Sequence, residues 1–161
     1  MTPLDLKAKE EWEAILDRCA KEANMTACLM DGDGKLLFCR MDRFPLREVI
    51  RGNQDALTTI CMKTNTAMLS AVNKTRRPEI DICEAGLLRL VVPILNGREL
   101  IGQIAACGLA SKEEEIEEFL VSKELGVTEQ NVAEMSQASP FGTREELEKL
   151  GSRLFAEIHA G

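Results

Sequence analysis

The chain has 161 residues, a length suited to one domain with a sizeable core. Twenty Lys and Arg against 27 Asp and Glu leave a net charge of −7, so no cationic excess is available to neutralise nucleic acid phosphates or anionic lipid. Hydrophobic residues at 45% exclude wholesale disorder, and five Phe, one Trp and no Tyr leave a core of aliphatic, Met and Ala side chains with few platforms for stacking bases.

No apolar stretch reaches the ~20 residues of a membrane helix, and the N-terminal MTPLDLKAKEEWE is acidic and lacks a signal peptide's apolar block. These features predict a cytoplasmic chain that engages neither membrane nor nucleic acid. In a reducing compartment the cysteines are expected as core thiols, metal ligands or redox groups rather than a disulfide framework. They are Cys19, Cys28, Cys39, Cys61, Cys83 and Cys107, with no CxxC pair, which excludes a zinc ribbon or a thioredoxin-like motif.

Thr2, Pro3 and Asp5 form a helix start signal, and Trp12, Ile15, Leu16, Cys19 and Ala20 follow at helical spacing, predicting a helix over about 4 to 24. TACLM (26 to 30), DGDG and KLLFC read as two strands joined by a turn; the segment lacks the ligand series and terminal Glu of an EF-hand, so a hairpin is expected rather than a calcium loop. A connector is expected around Pro45. Asn53 then caps a helix whose stripe is Leu57, Ile60, Cys61, Thr64, Met68 and Val72, ending at Arg76, Arg77 and Pro78.

Glu79 to Cys83 reads as a short strand, and LLRLVVPIL, Asn96-Gly97, RELIGQIAACGL as a long hairpin. A two-residue loop pairs Leu95 with Arg98. That register sets Leu88, Leu90, Val92 and Ile94 on one face with Ile101, Gln103, Ala105 and Cys107, and Leu87, Arg89, Val91 and Pro93 on the other with Leu100, Gly102, Ile104 and Ala106. Both faces are mainly apolar, so helices or a partner must cover each, and the small residues leave room for a ligand or a close helix. Beyond Ala110 the chain is expected to be helical, with a solvated acidic run Glu113 to Glu118, a loop at Ser139-Pro140, and a last helix capped by Thr143 and Glu146.

Cys39, Cys61, Cys83 and Cys107 each sit at a structural juncture, but their wide spacing supports core thiols as readily as convergent soft-metal ligands. The segments DGDGKLLFC (31 to 39), ICMKTNTAMLSA (60 to 71) and ICEAGLLRLVVPILNGRELIGQIAACGL (82 to 109) resemble the PocR sensory domain family, over about residues 8 to 125. The resemblance implies a PAS/GAF-like α+β (mixed α/β) fold, a central antiparallel sheet with flanking helices, of the kind found in bacterial and archaeal signalling proteins and transcription regulators. It sets Cys39 at the cysteine closing the second strand, Cys61 at the one opening the long helix, and Cys83, Ala85, Gly86 and Leu87 in the Cys-x-Ala-Gly-Leu turn. Where the family often has His or Pro this chain has Glu84, so no imidazole role carries over.

Three thiols in family register suggest a shared site. Strand parity turns Cys83 away from Ile80 and Ile82, and Gln103 on the predicted Cys107 face is a plausible polar anchor. The expectation is one sensory domain over residues 1–161, core about 8–125 and helical extension 126–161, binding a small molecule through Cys39, Cys61, Cys83, Glu84, Gln103 and Cys107. No helix-turn-helix or kinase segment is apparent, so such a sensor would act alone through a signalling partner, and its amphipathic terminal helices suit a homodimer. The alternative is a redox sensor in which Cys39, Cys61 and Cys83 hold a metal ion, an iron-sulfur cluster or a tetrapyrrole. Catalysis is not expected: His159, the lone histidine, ends the last helix, and no Ser-His or Cys-His pair is possible in the core. Arg89 reads as a half-exposed strand residue, and Met25, Met30, Met41, Met62 and Met68 as core fillers.

Overall fold

The computed structural model describes residues 1–40, 45–111, 115–137 and 141–160. Met41, Glu113, Glu114 and the Ser139-Pro140 loop lie outside them. The first helix is interrupted: α1 (Pro3–Leu6) ends at Lys7, and α2 (Lys9–Ala23) begins anew after the extended Ala8. The joint is held by Trp12, fully buried, whose indole Nε1 donates to the Pro3 carbonyl at 2.8 Å. Strands β1 (Thr26–Asp31) and β2 (Leu36–Arg40) form the expected hairpin. At its turn the Asp31 carboxylate accepts the amides of Asp33 and Lys35, both at 2.9 Å, so that oxygen serves the turn itself.

Around Pro45 the chain is helical rather than a plain connector, giving α3 (Pro45–Gly52). Asn53 does act as a cap, its side chain accepting the Ala56 amide at 3.0 Å, and opens α4 (Gln54–Ala56). The helix then widens into a π-helical segment, Leu57–Met62, before tightening into α5 (Lys63–Thr75). Strands β3 (Glu79–Ile82), β4 (Leu87–Asn96) and β5 (Glu99–Ser111) follow, then α6 (Glu118–Leu125), α7 (Glu129–Gln137), the two-residue β6 (Phe141–Gly142) and α8 (Arg144–Ile158). Residues 115–117 of the acidic run precede α6 rather than belonging to it. Thr143 caps α8 as expected, accepting the Glu146 amide at 3.2 Å.

The fold is α+β. Five antiparallel strands run in the order β2-β1-β5-β4-β3, and β6 adds a short parallel pairing to β5. The β4–β5 hairpin departs from the expected register. Asn96 pairs with Glu99, and Ile94 faces Gly102 while Leu95 faces Leu100, so Ile101 is an extra residue in β5. That bulge reverses the parity between the strands. Leu90, Val92 and Ile94 therefore share a face with Gly102, Ile104 and Ala106, whereas Arg89, Val91 and Pro93 share one with Gln103, Ala105 and Cys107. A second bulge follows at Gly108, whose φ of +105° suits glycine, so that Cys107 and Gly108 together stand opposite Arg89.

The first face is covered by α2 and α8, through Trp12, Leu16 and Cys19 on one and Leu147, Leu150, Leu154 and Ile158 on the other. Helix α8 is thus part of the main core, and it is tied to α2 by the Arg18–Glu157 and Arg153–Glu22 ion pairs. On the second face Met68 and Val72 of α5 pack on Cys28, Met30, Val91 and Ala105. Beyond α5, at the end of the sheet, α3, α4, α6 and α7 gather around Leu46, Ile50, Ile60, Leu87, Val121 and Val132. Met25, Met30 and Met68 fill core space as expected, but Met62 is half exposed because the π-helical segment turns it outward. No helix of the described residues is long and apolar enough to cross a membrane.

Close packing at Gly102 gives a direct check. A Cβ there would overlap the Pro3 ring and sit 2.6 Å from the Met30 carbonyl oxygen. Gly102→Ala should destabilise the domain by about 1–3 kcal/mol, read as a lower urea midpoint with an unchanged slope.

Candidate functional site

The second face of the sheet does not close completely. Between α3, the π-helical segment, the start of α5 and the β3–β4–β5 edge lies a cavity of about 120 Å³. It is slightly smaller than an apolar cavity of about 150 Å³ that accepts benzene. Ile50, Leu57, Ile60 and Leu87 supply apolar walls, and Cys61, Cys83 and Cys107 bring sulfur from separate elements. Polar groups come from Arg51, Asn65 and Arg89.

Each side chain has a local reason for its position. Cys61 belongs to the π-helical segment, a rare wide turn that recurs at functional sites. Thr64 and Asn65, three and four residues on, fall on the same inner side of the helix. Cys83 ends β3 in a tight turn: the Gly86 amide donates to the Cys83 carbonyl at 2.8 Å, and the Cys83 amide donates to the Leu87 carbonyl at 2.9 Å. Gly86 holds a φ of +87°, and a Cβ on it would overlap the Glu115 carbonyl oxygen. Glycine is therefore required there by both backbone angle and space. Cys107 and Gly108 reach the cavity through the second β5 bulge, which sets Cys107 across from Arg89.

The electrostatics keep Cys83 neutral. Burial pushes its thiol above the ordinary range; amide hydrogen bonds from Leu87 and Ala85 and the charge of Arg89 oppose this, while Cys107 adds to it. Arg89 is 6% exposed, a correction to its expected half-exposed position: it lies on the covered second face of the sheet, beside the π-helical segment, and the bulge sets Cys107 opposite it. Its Nε and Nη2 atoms are buried without a hydrogen-bond partner, and so is Oδ1 of Asn65.

The sequence-predicted residues divide into three groups. Cys61, Cys83 and Cys107 come together on the cavity. Gln103 is 1% exposed but lies further along β5, where its Nε2 donates to the Met30 sulfur at 3.3 Å and its Oε1 is unpartnered; it does not line the cavity. Glu84 is exposed at the turn, also off the cavity. Cys39 is joined by a disulfide to Cys28, directly opposite it in the β1–β2 ladder, against the expectation of cysteines without disulfides. The predicted metal set Cys39, Cys61 and Cys83 is consequently not assembled, since the Cys39 sulfur is bonded in the β1–β2 hairpin. Among the described residues no three His, Cys, Asp or Glu side chains form a metal-holding group. His159 is structural: its Nε2 accepts the Leu95 amide at 3.0 Å and its Nδ1 lies 2.7 Å from the Phe155 carbonyl, tying the end of α8 to β4.

Sequence reasoning missed Arg89 and Asn65. The signal for Asn65 was its place four residues after Cys61; that for Arg89 was its position in a strand whose neighbours are apolar on both faces.

The chain thus combines a five-stranded antiparallel sheet, helices on both of its faces and a cavity at one end. The family model described as the sensory domain found in PocR matches residues 5–158, and the chain belongs to this family. No curated protein matched the chain. Among solved structures it is similar to the C-terminal domain of a protein described as a transcriptional regulator from Vibrio cholerae, at 14% identity and a TM-score of 0.40 over 81% of this chain and 95% of that one. It is also similar to an IcIR transcriptional regulator from Alicyclobacillus acidocaldarius, at 15% identity and a TM-score of 0.31 over 78% of this chain and 65% of that one.

Two outcomes follow for the cysteines. A non-reducing digest should yield the Cys28 and Cys39 peptides as one linked species that reduction separates, read by mass spectrometry. Burial, aided by Glu22, pushes the Cys19 thiol up to about 12, whereas its ordinary value is 9.0. An unfolded chain ionises this thiol first, so stability should fall as pH rises above about 9 toward 12, and Cys19→Ala should flatten that fall in urea midpoints measured across the range.

Proposed function

We propose that this sensory domain binds a small molecule in the cavity lined by Cys61, Cys83 and Cys107 and passes its occupancy to a signalling partner protein in the cytoplasm. The observation that carries this reading is the 120 Å³ space, walled by apolar side chains and furnished with a few buried polar atoms, the composition of a small-ligand site. The neutral Cys83 thiol acts there as a soft, polarisable wall rather than a nucleophile. The role read here is binding, and among the described residues no histidine or carboxylate lines the cavity.

Signalling follows from which elements meet at the cavity. Ile50 of α3 and Ile60 of the π-helical segment face it, and both also belong to the apolar cluster that packs α6 and α7 through Val121 and Val132. Filling the space changes the packing of this helical end relative to the sheet. Adjacent residues of β4 and β5 face opposite sides, so a shift at Arg89 or Cys107 also reaches Leu90 and Ala106 under α2 and α8. These two helices are the proposed surface for a second copy or for the partner.

A thermal-shift screen of small diols, carbonyl compounds and acids tests the reading. A ligand at 100 times its Kd should add about 2.7 kcal/mol and raise Tm by several degrees. Cys61→Phe, which fills the cavity from the helix side, should abolish the shift while leaving the fold intact by circular dichroism. Uniform silence across the screen with folded protein would reject the site.

A further inference from the structure

The polar atoms left unpartnered in the cavity specify more than a general ligand. Nε and Nη2 of Arg89 form one edge of the guanidinium, two parallel donors spaced to meet the two oxygens of a carboxylate. The side chain is 6% exposed, and among the described residues no acidic side chain lines the cavity beside it. Asp81, opposite Arg89 across the β3–β4 ladder, is exposed and its carboxylate accepts the Ile82 amide at 2.8 Å. A desolvated cation whose pairing edge has no protein partner is a costly feature unless something supplied from outside completes it. The second unpartnered atom, Oδ1 of Asn65, is an acceptor and calls for a donor hydrogen.

Resting on the reading of this cavity as a ligand site, we infer that its ligand is a small monocarboxylate bearing a hydroxyl group, held by its two oxygens on the Arg89 edge and by its hydroxyl on Asn65. The volume of about 120 Å³ suits a three- or four-carbon acid, being slightly below that of a cavity that accepts benzene. Leu57, Ile60 and Leu87 receive its short apolar part, and the Cys83 and Cys107 sulfurs flank it.

The test titrates lactate and its neutral counterpart propane-1,2-diol, which replaces the carboxylate by CH2OH, into the whole chain, with propionate as the acid that lacks a hydroxyl. Binding is read by calorimetry and by ligand-observed NMR. Lactate should bind at least tenfold tighter than either comparison compound. Arg89→Met removes the buried charge and fills its space with an apolar chain, and should abolish lactate binding. Arg89→Lys retains the charge but loses the two-donor edge, and should weaken lactate at least tenfold even if the Met variant fails to fold. Asn65→Ala should bring lactate down to the level of propionate. If the diol binds as tightly as lactate and Arg89→Lys leaves both unchanged, the carboxylate assignment is overturned while the cavity keeps its role. If no probe of any charge binds the folded chain, both fall together.

Discussion

The site depends on parity in one ladder. Strand β5 carries one extra residue at Ile101 and another at Gly108, each of which reverses the side of the sheet to which later residues point relative to β4. Between the two bulges Arg89 is turned toward α5 with Cys107 opposite it, and Leu90, Val92 and Ile94 are turned toward α2 and α8. Without the Ile101 bulge, Gln103, Ala105 and Cys107 would share the face of Leu90 and Val92 and point into the layer of Trp12, Leu16 and Leu150. One inserted residue thus separates a dry core on one face from a partly polar cavity on the other.

The elements whose signals are local were legible in the sequence. Thr143 and Glu146 mark the start of α8, Asn53 caps α4, and Asp31 organises the first turn, because each places a side-chain acceptor within a few residues of the amides it receives. The antiparallel sheet and the apolar character of both its faces were also legible, since strand β4 is buried almost throughout. Helix α3 was hidden by Pro45, which reads as a connector although proline is favoured at the first position of a helix.

The candidate site was legible only in part. Cys61 and Cys83 were singled out by the family motif, whereas Cys107 was set by the expected hairpin register on the face of Leu88 and Leu90 and stands instead opposite Arg89. Cys39 and Gln103 were grouped with them because sequence distance carries no information on which end of a sheet a residue occupies. In the structure Cys39 bonds to its cross-strand neighbour and Gln103 is occupied by Met30. Arg89 was misjudged for a different reason. Composition assigns a lone arginine in a strand to a solvated edge, whereas β4 lies between β3 and β5 with helices over both of its faces.

Retention of a buried, unpaired guanidinium is a conflict between stability and use. A Met or Leu at position 89 would pack among Leu57, Ile60 and Leu87 and relieve the desolvation of the charge, as replacement of buried ions by apolar groups commonly does. The conflict is concentrated where the structure is otherwise least regular: a π-helical segment on one wall, a glycine bulge on the second, and a turn on the third whose Gly86 no other residue replaces without strain. The opposite face of the same strands shows none of these departures and is filled by aliphatic side chains. Irregular backbone and unmet polar groups gathered around one cavity, with a dry core across the sheet from them, are what a domain needs if a bound molecule is to complete its packing and thereby report its own presence.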